Sequence, residues 1–144
     1  MQETIGDVCR GIQQELNAAL IAIAEWDDVA QKIKWTYALN PLNDKYSRME
    51  LSYGYGVAGT VMQTGRPFLC KNRNHLPYEI TKYPIVLAEK LQSFVAIPLT
   101  SPQIFGAVLL IGYREEHPLP VKEEWEGFRS RILPYLKERR PSHD

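Results

Sequence analysis

The residues of this chain best suited to chemistry are hydrogen-bond donors. The run Tyr53-Gly54-Tyr55-Gly56-Val57-Ala58-Gly59-Thr60 sets a Gly-x-Gly turn between a strand-like run and a helix-like run. Strand, glycine turn and helix start, in that order, leave bare backbone N–H groups at a helix N-terminus. Tyr83-Pro84-Ile85 offers a second start, because proline at the first helical position loses no needed N–H. If the two starts converge, the N–H groups of Val57, Ala58 and Ile85 point into one small space. Each helix end carries about half a positive charge, so together they would hold about one negative charge without any Lys or Arg. That suits a small, weakly hydrated monovalent anion better than phosphate, which recruits explicit cations. Trp35 lies mid-strand, and its indole N–H donates but never accepts. A donor on a flat aromatic wall suits a flat oxyanion.

The same residues have plainer uses. Gly54, Gly56 and Gly59 serve equally as turn and close-packing residues. Trp35 fits a core position, and Tyr83 fits a packing position at the pocket edge. Other reactive side chains are poorly placed for chemistry. His75 and His117 lie far apart without partners at metal-ligand spacing and read as surface loop residues. His143 belongs to a tail that reads as frayed from Arg139 onward. Cys9 and Cys70 lack metal spacing; Cys70 has Lys71 beside it but reads as a buried, inert thiol. No serine-triad, zinc-protease or phosphate-loop signature is present, so neither catalytic residues nor a metal site are expected. The charged runs Glu115-Glu116, Lys122-Glu123-Glu124 and Lys137-Glu138-Arg139-Arg140 read as solvated helix faces and ends.

Bulk properties narrow the function classes. The chain has 144 residues, suited to one domain over 1–144 with a core that needs no disulfide or metal. Its 17 basic residues balance 17 acidic ones, which argues against nucleic-acid or anionic-membrane partners. No apolar run is long enough to span a bilayer. The opening Met-Gln-Glu-Thr lacks the charged and apolar regions of a secretion signal, so a cytoplasmic location with reduced cysteines is expected.

The elements that must position the donors follow from periodicity. Ile5, Val8, Cys9, Ile12 and Leu16 make one apolar stripe of a helix over Glu3 to Leu16. Ala18 to Trp26 suits a buried strand. Asp27-Asp28 turns the chain into a second strand, Ala30 to Leu39, on which Ile33, Trp35 and Tyr37 are expected to share a face. Asn40 to Asp44 is a loop, and Met49, Leu51 and Tyr53 alternate as a third strand. A short helix over Val57 to Gln63 ends at Gly65, with Pro67 barring its continuation. A brief strand follows at Phe68 to Cys70, then an irregular stretch from Lys71 to Lys82. A second short helix is expected over Pro84 to Leu91. The last strands, Phe94 to Leu99 and Phe105 to Tyr113, are joined by a loop at Ser101-Pro102-Gln103. A final helix over Val121 to Lys137 presents Val121, Trp125, Phe128, Ile132 and Leu136, and Pro134 should kink it or end it early. The fold class is α+β: an antiparallel sheet of about five or six strands, with terminal helices on one face and the glycine-bearing crossover on the other. The apolar stripes of the terminal helices can face the sheet or a second protein.

Gly-x-Gly-x-Ala-Gly-x-Val with the later Thr64-Gly65-Arg66-Pro67 resembles the signature of GAF domains. The blocks Ser93 to Leu99 and Gly106 to Tyr113 are similar to the paired late strands of that fold. The resemblance covers roughly Leu20 to Tyr113, and it implies a ligand held between sheet and crossover. A narrower resemblance is carried by Ile33 to Tyr37, Leu42 to Tyr46, Val57-Ala58-Gly59, Tyr83-Pro84-Ile85, Leu87 to Leu91 and Leu109 to Arg114. Together these are similar to the stand-alone GAF-domain nitrate receptors that accompany an oxygen-sensing histidine kinase. That resemblance implies a nitrate sensor, not an enzyme, with nitrate as ligand and no other cofactor. It implies a sensor histidine kinase of nitrate respiration as partner, and a nitrate site of Trp35, Val57, Ala58, Tyr83, Pro84 and Ile85. Terminal helices often mediate association in GAF proteins, so a homodimer is left open. The alternatives are a GAF domain for a larger ligand (cyclic nucleotide, haem or bilin), a ligand-free interaction module, or a thiol-dependent reductase of free methionine sulfoxide. The reductase branch uses several pocket cysteines, and here there are two.

Overall fold

Six strands pair in the order β3-β2-β1-β6-β5-β4, with every neighbouring pair antiparallel. They are β1 (Leu20–Asp27), β2 (Lys32–Leu39), β3 (Glu50–Leu51), β4 (Phe68–Cys70), β5 (Ser93–Pro98) and β6 (Ala107–Tyr113). Four α-helices accompany them: α1 (Ile5–Leu16), α2 (Gly56–Thr64), α3 (Pro84–Ala88) and α4 (Lys122–Ile132). This computed structural model describes residues 2–100 and 106–136. The loop at Ser101-Pro102-Gln103, the start of the last strand at Phe105, the end of the last helix at Lys137, His143 and the tail lie outside the described residues.

The central strands β1, β6 and β5 are apolar on both faces, as strands covered on both sides must be. One face carries Ile21, Ile23, Val95, Ile97, Leu109 and Ile111 against the stripes of α1 and α4. The other carries Leu20, Ala22, Ala24, Phe94, Ala96 and Leu110 against α2 and α3. Terminal helices on one face and crossover on the other is the expected layering. Thr4 caps α1: its side chain accepts from Asp7 N–H while the Asp7 carboxylate accepts from Thr4 N–H, a reciprocal capping box. On α1 and α4 the buried residues are Val8, Cys9, Ile12, Phe128 and Ile132, all packed on the sheet, so the apolar stripes face the sheet.

Three sequence expectations change. First, β2 carries a bulge. Ile23 pairs with Tyr37 and Ala24 with Trp35, leaving Thr36 as the extra residue. Trp35 and Ile33 therefore lie on the crossover face while Tyr37 joins the terminal-helix face. Second, α3 ends at Ala88, not Leu91; Lys90 turns to φ 54 and Leu91 packs into the crossover core. Third, the strand expected over Met49 to Tyr53 pairs only at Glu50–Leu51. Ser52 already accepts from Tyr55 N–H at 3.1 Å, so the glycine turn takes over the backbone. Pro134 ends the last helix early, in a 3₁₀ turn over Leu133–Tyr135. The irregular stretch before α3 holds two such turns, Arg73–His75 and Ile80–Lys82.

Candidate functional site

The glycine turn brings α2 down onto the crossover face. Gly59 sits so close to the turn that a Cβ there would lie 2.4 Å from the Ser52 carbonyl oxygen. Its own carbonyl accepts from Gly54 N–H at 2.8 Å, which clamps turn to helix. Gly56, the first residue of α2, has φ +68, a left-handed backbone that favours glycine. A Cβ on Gly56 would stand 3.8 Å from Pro84 Cδ. The first residue of α2 therefore lies against the first residue of α3, and the two N-termini converge as their sequences suggest.

Trp35, Val57, Ala58, Tyr83 and Ile85 occupy one buried cluster with Leu51, Val61, Cys70 and Phe94. Pro84 is half-buried at its edge. Val57 and Ala58 lie in the first turn of α2, and Ile85 follows Pro84 in the first turn of α3. Helix geometry leaves such N–H groups without an intrahelical carbonyl. Among the described residues none of the three donates to a backbone carbonyl outside its helix.

Trp35 is 3 % exposed, and its Nε1 has no hydrogen-bond partner among the described residues. The other tryptophans contrast with it. Trp26 Nε1 donates to Asp28 Oδ1 at 2.9 Å and Trp125 Nε1 to the Pro120 carbonyl at 3.0 Å. A buried donor left idle costs about 1–3 kcal/mol, so an acceptor that reaches it recovers free energy. The buried polar residues among those described are Glu89 and Ser93; no lysine or arginine is fully buried. The donors inside the cluster are therefore backbone and indole N–H groups, while Lys82 lines the clefts outside it.

Tyr83 closes one side. It is 4 % exposed, stands edge-on to Phe68 with ring centroids 5.7 Å apart, and has its phenol pKa pushed up by burial. Outside it lies a cleft of about 460 Å³ whose walls include Tyr53, Tyr55, Phe68, Tyr78, Lys82 and Tyr83. A second opening of about 470 Å³ runs along Leu51, Gly56, Lys82 and Pro84. The clefts meet the cluster from outside at Gly56, Tyr83 and Pro84. A further cleft, about 770 Å³, lies elsewhere, between Leu69 and Trp125, and touches none of these residues.

The remaining reactive side chains stand apart. Cys9 is wholly buried on the sheet-facing side of α1, and burial pushes its thiol up to about 11. Burial also raises the Cys70 thiol. His75 is exposed, as expected; His117 is half-buried and stacks on Tyr113, ring centroids 4.0 Å apart. No group of three or more His, Cys, Asp or Glu among the described residues could hold a metal ion. No helix among the described residues is long and apolar enough to cross a membrane.

Sequence reasoning missed Glu89 and Arg114. Glu89 is 0 % exposed, and its Oε1 accepts from Arg114 Nη2 at 2.6 Å and from Leu42 N–H at 2.9 Å. The available signal was a lone carboxylate in the otherwise apolar run Pro84 to Ala88 and Leu91, with an arginine following a wholly apolar β6.

A six-stranded antiparallel sheet with helices on one face and a helical crossover on the other defines a GAF domain. A GAF domain/HD domain protein from Geobacter sulfurreducens shares this fold at TM-score 0.69 and 12 % identity, covering 91 % of this chain and 86 % of that one. At 34 % identity the chain is similar to the NreA protein of Staphylococcus aureus, in a structure mutated in its nitrate-binding site. That likeness covers 80 % of this chain and 86 % of the other at TM-score 0.71. A Staphylococcus aureus hypothetical protein, SA1058, matches at 34 % identity and TM-score 0.72, over 80 % of this chain and 96 % of its own. The chain belongs to the NreA family of GAF-domain proteins. No family model and no curated protein sequence matches it.

Proposed function

We propose that this protein is a nitrate receptor whose site is formed by Trp35, Val57, Ala58, Tyr83, Pro84 and Ile85. The observation that carries the reading is the idle, buried Nε1 of Trp35 in the same cluster as two converging helix starts. Nitrate is flat, monovalent and weakly hydrated. Trp35 Nε1 and the N–H groups of Val57, Ala58 and Ile85 supply donors, and Tyr83 and Pro84 wall the site. With no fully buried cation, the site suits one delocalised charge and disfavours sulfate, whose second charge would go unmatched. The naming of the Staphylococcus aureus relative for a nitrate-binding site supports the same ligand.

The reading is of a sensor and not an enzyme. Both thiols are buried with raised pKa values, the opposite of what a cysteine nucleophile requires. A cytoplasmic sensor of this kind acts by presenting two ligation states of unequal affinity to a partner, here a sensor histidine kinase controlling nitrate respiration. Isothermal titration with sodium nitrate, against chloride and sulfate at matched ionic strength, tests the ligand. Saturable, nitrate-selective heat near one site per chain is expected; a flat trace with anion-free protein refutes the reading. Addition of the protein to the kinase, with and without nitrate, tests the partner by its autophosphorylation rate.

A further inference from the structure

Buried Glu89 and its half-buried partner Arg114 lie at the end of α3 opposite the proposed anion site, and the hydrogen-bond chain between the two is short. Ile85 lies in the first turn of α3, where its N–H has no intrahelical partner, and its carbonyl accepts from Glu89 N–H at 3.0 Å. The Glu89 carbonyl accepts from Arg114 Nε at 3.0 Å, and the Glu89 carboxylate accepts from Arg114 Nη2 and from Leu42 N–H. Arg114 also donates to the Asn40 carbonyl at 3.1 Å and the Ala19 carbonyl at 3.3 Å. Asn43 Nδ2 closes the set on the Ala88 carbonyl at 3.2 Å. One five-residue helix thus has its start in the anion site and its end tied to the surface loop between β2 and β3.

The chemistry of that tie is costly for simple packing. A fully buried carboxylate loses several kcal/mol of hydration, and apolar residues of equal volume often serve stability as well. An ion pair gains instead in directional specificity: it fixes α3 against Asn40, Leu42 and Asn43 at defined donor and acceptor atoms. The Ile85 carbonyl and Glu89 N–H bond links the start of α3 to its end through one helical turn.

Resting on the nitrate reading above, we propose that Glu89 and Arg114 are positioning residues coupling anion occupancy at the start of α3 to the loop 40–44. Leu42 on that loop and Leu87 on α3 are each about half exposed.

Hydrogen exchange of the full chain, with and without saturating sodium nitrate, tests this once calorimetry has established binding. The expected result is a change in protection of Leu42 and its neighbours of about fivefold or more on adding nitrate. In Glu89→Gln nitrate should still bind and still protect Ile85, while the response at loop 40–44 is lost. Leu42→Pro removes a single N–H from an exposed loop and should blunt the response at Asn43 and Lys45 in the same way. Nitrate binding with exchange changes confined to Val57, Ala58 and Ile85 in the wild-type protein would overturn the coupling and leave the receptor reading standing. Absence of nitrate heat would overturn both.

Discussion

Trp35 and Tyr37 are two residues apart on one strand yet lie on opposite faces of the sheet. Thr36 is the extra residue of the bulge between them, and its hydroxyl donates to Glu25 Oε1 at 2.6 Å across the strand pair. The bulge sends the indole to the crossover side and the phenol to the terminal helices. Trp35 is therefore the indole donor of the proposed nitrate site, and its replacement tests that site.

Trp35→Phe keeps an aromatic wall and removes the donor. Nitrate affinity should fall by about 10- to 150-fold, the worth of one hydrogen bond to a charged group at about 1.5–3 kcal/mol. Trp35→Ala should lower it further and also cost stability through the cavity left behind. Calorimetry with thermal melts of both variants checks this. Unchanged affinity in both would remove Trp35 from the site.

Val57→Ala retains the backbone N–H. It should cost about 2 kcal/mol of stability from the lost buried methyl groups while moving nitrate affinity little. A denaturant titration beside a nitrate titration separates the two effects.

Gly59→Ala places a Cβ against the Ser52 carbonyl, so the turn must open. Destabilisation of about 2 kcal/mol or more is expected, with loss of anion affinity because α2 shifts. Gly127→Ala, on the exposed face of α4 with nothing within 4 Å, should instead stabilise by about 0.5–1 kcal/mol. Denaturation midpoints of the two variants should move in opposite directions.

Cys9 sets an alkaline limit. Its thiol ionises near 9.0 when exposed and near 11 when folded, because burial disfavours the thiolate. Between those values the native state holds a proton that the unfolded state has released. The Cys9 contribution is therefore intact below pH 9 and is lost as pH rises through about 11. Cys9→Ala should show a shallower fall in stability over that window than the wild-type protein, measured by urea unfolding at successive pH values.

The layering was legible because the terminal-helix stripes and the unbroken apolar strands obey strong periodicities. The convergence of α2 and α3 was legible from Gly56 and Pro84, residues whose backbone restrictions mark helix starts. The bulge at Thr36 was not, since Ile33, Trp35 and Tyr37 alternate as an unbroken strand would, and only cross-strand register reveals the slip. The early end of α3 follows from tertiary contacts: Leu91 turns inward against Gly112, where a Cβ would lie 2.9 Å from a Leu91 methyl. Glu89 and Arg114 come together only through the paths of β6 and the loop after β2, which no local pattern encodes.

The most direct test of the central claim is the indole N–H spectrum of ¹⁵N-labelled protein during a nitrate titration. The chain has 3 tryptophans, so it gives one indole signal each for Trp26, Trp35 and Trp125. Trp26 and Trp125 already donate to protein acceptors, whereas Trp35 has none among the described residues. The Trp35 signal alone should shift strongly and saturably with nitrate and not with sulfate. A Trp35 signal that stays in place while nitrate binds, or that moves equally with sulfate, would contradict it.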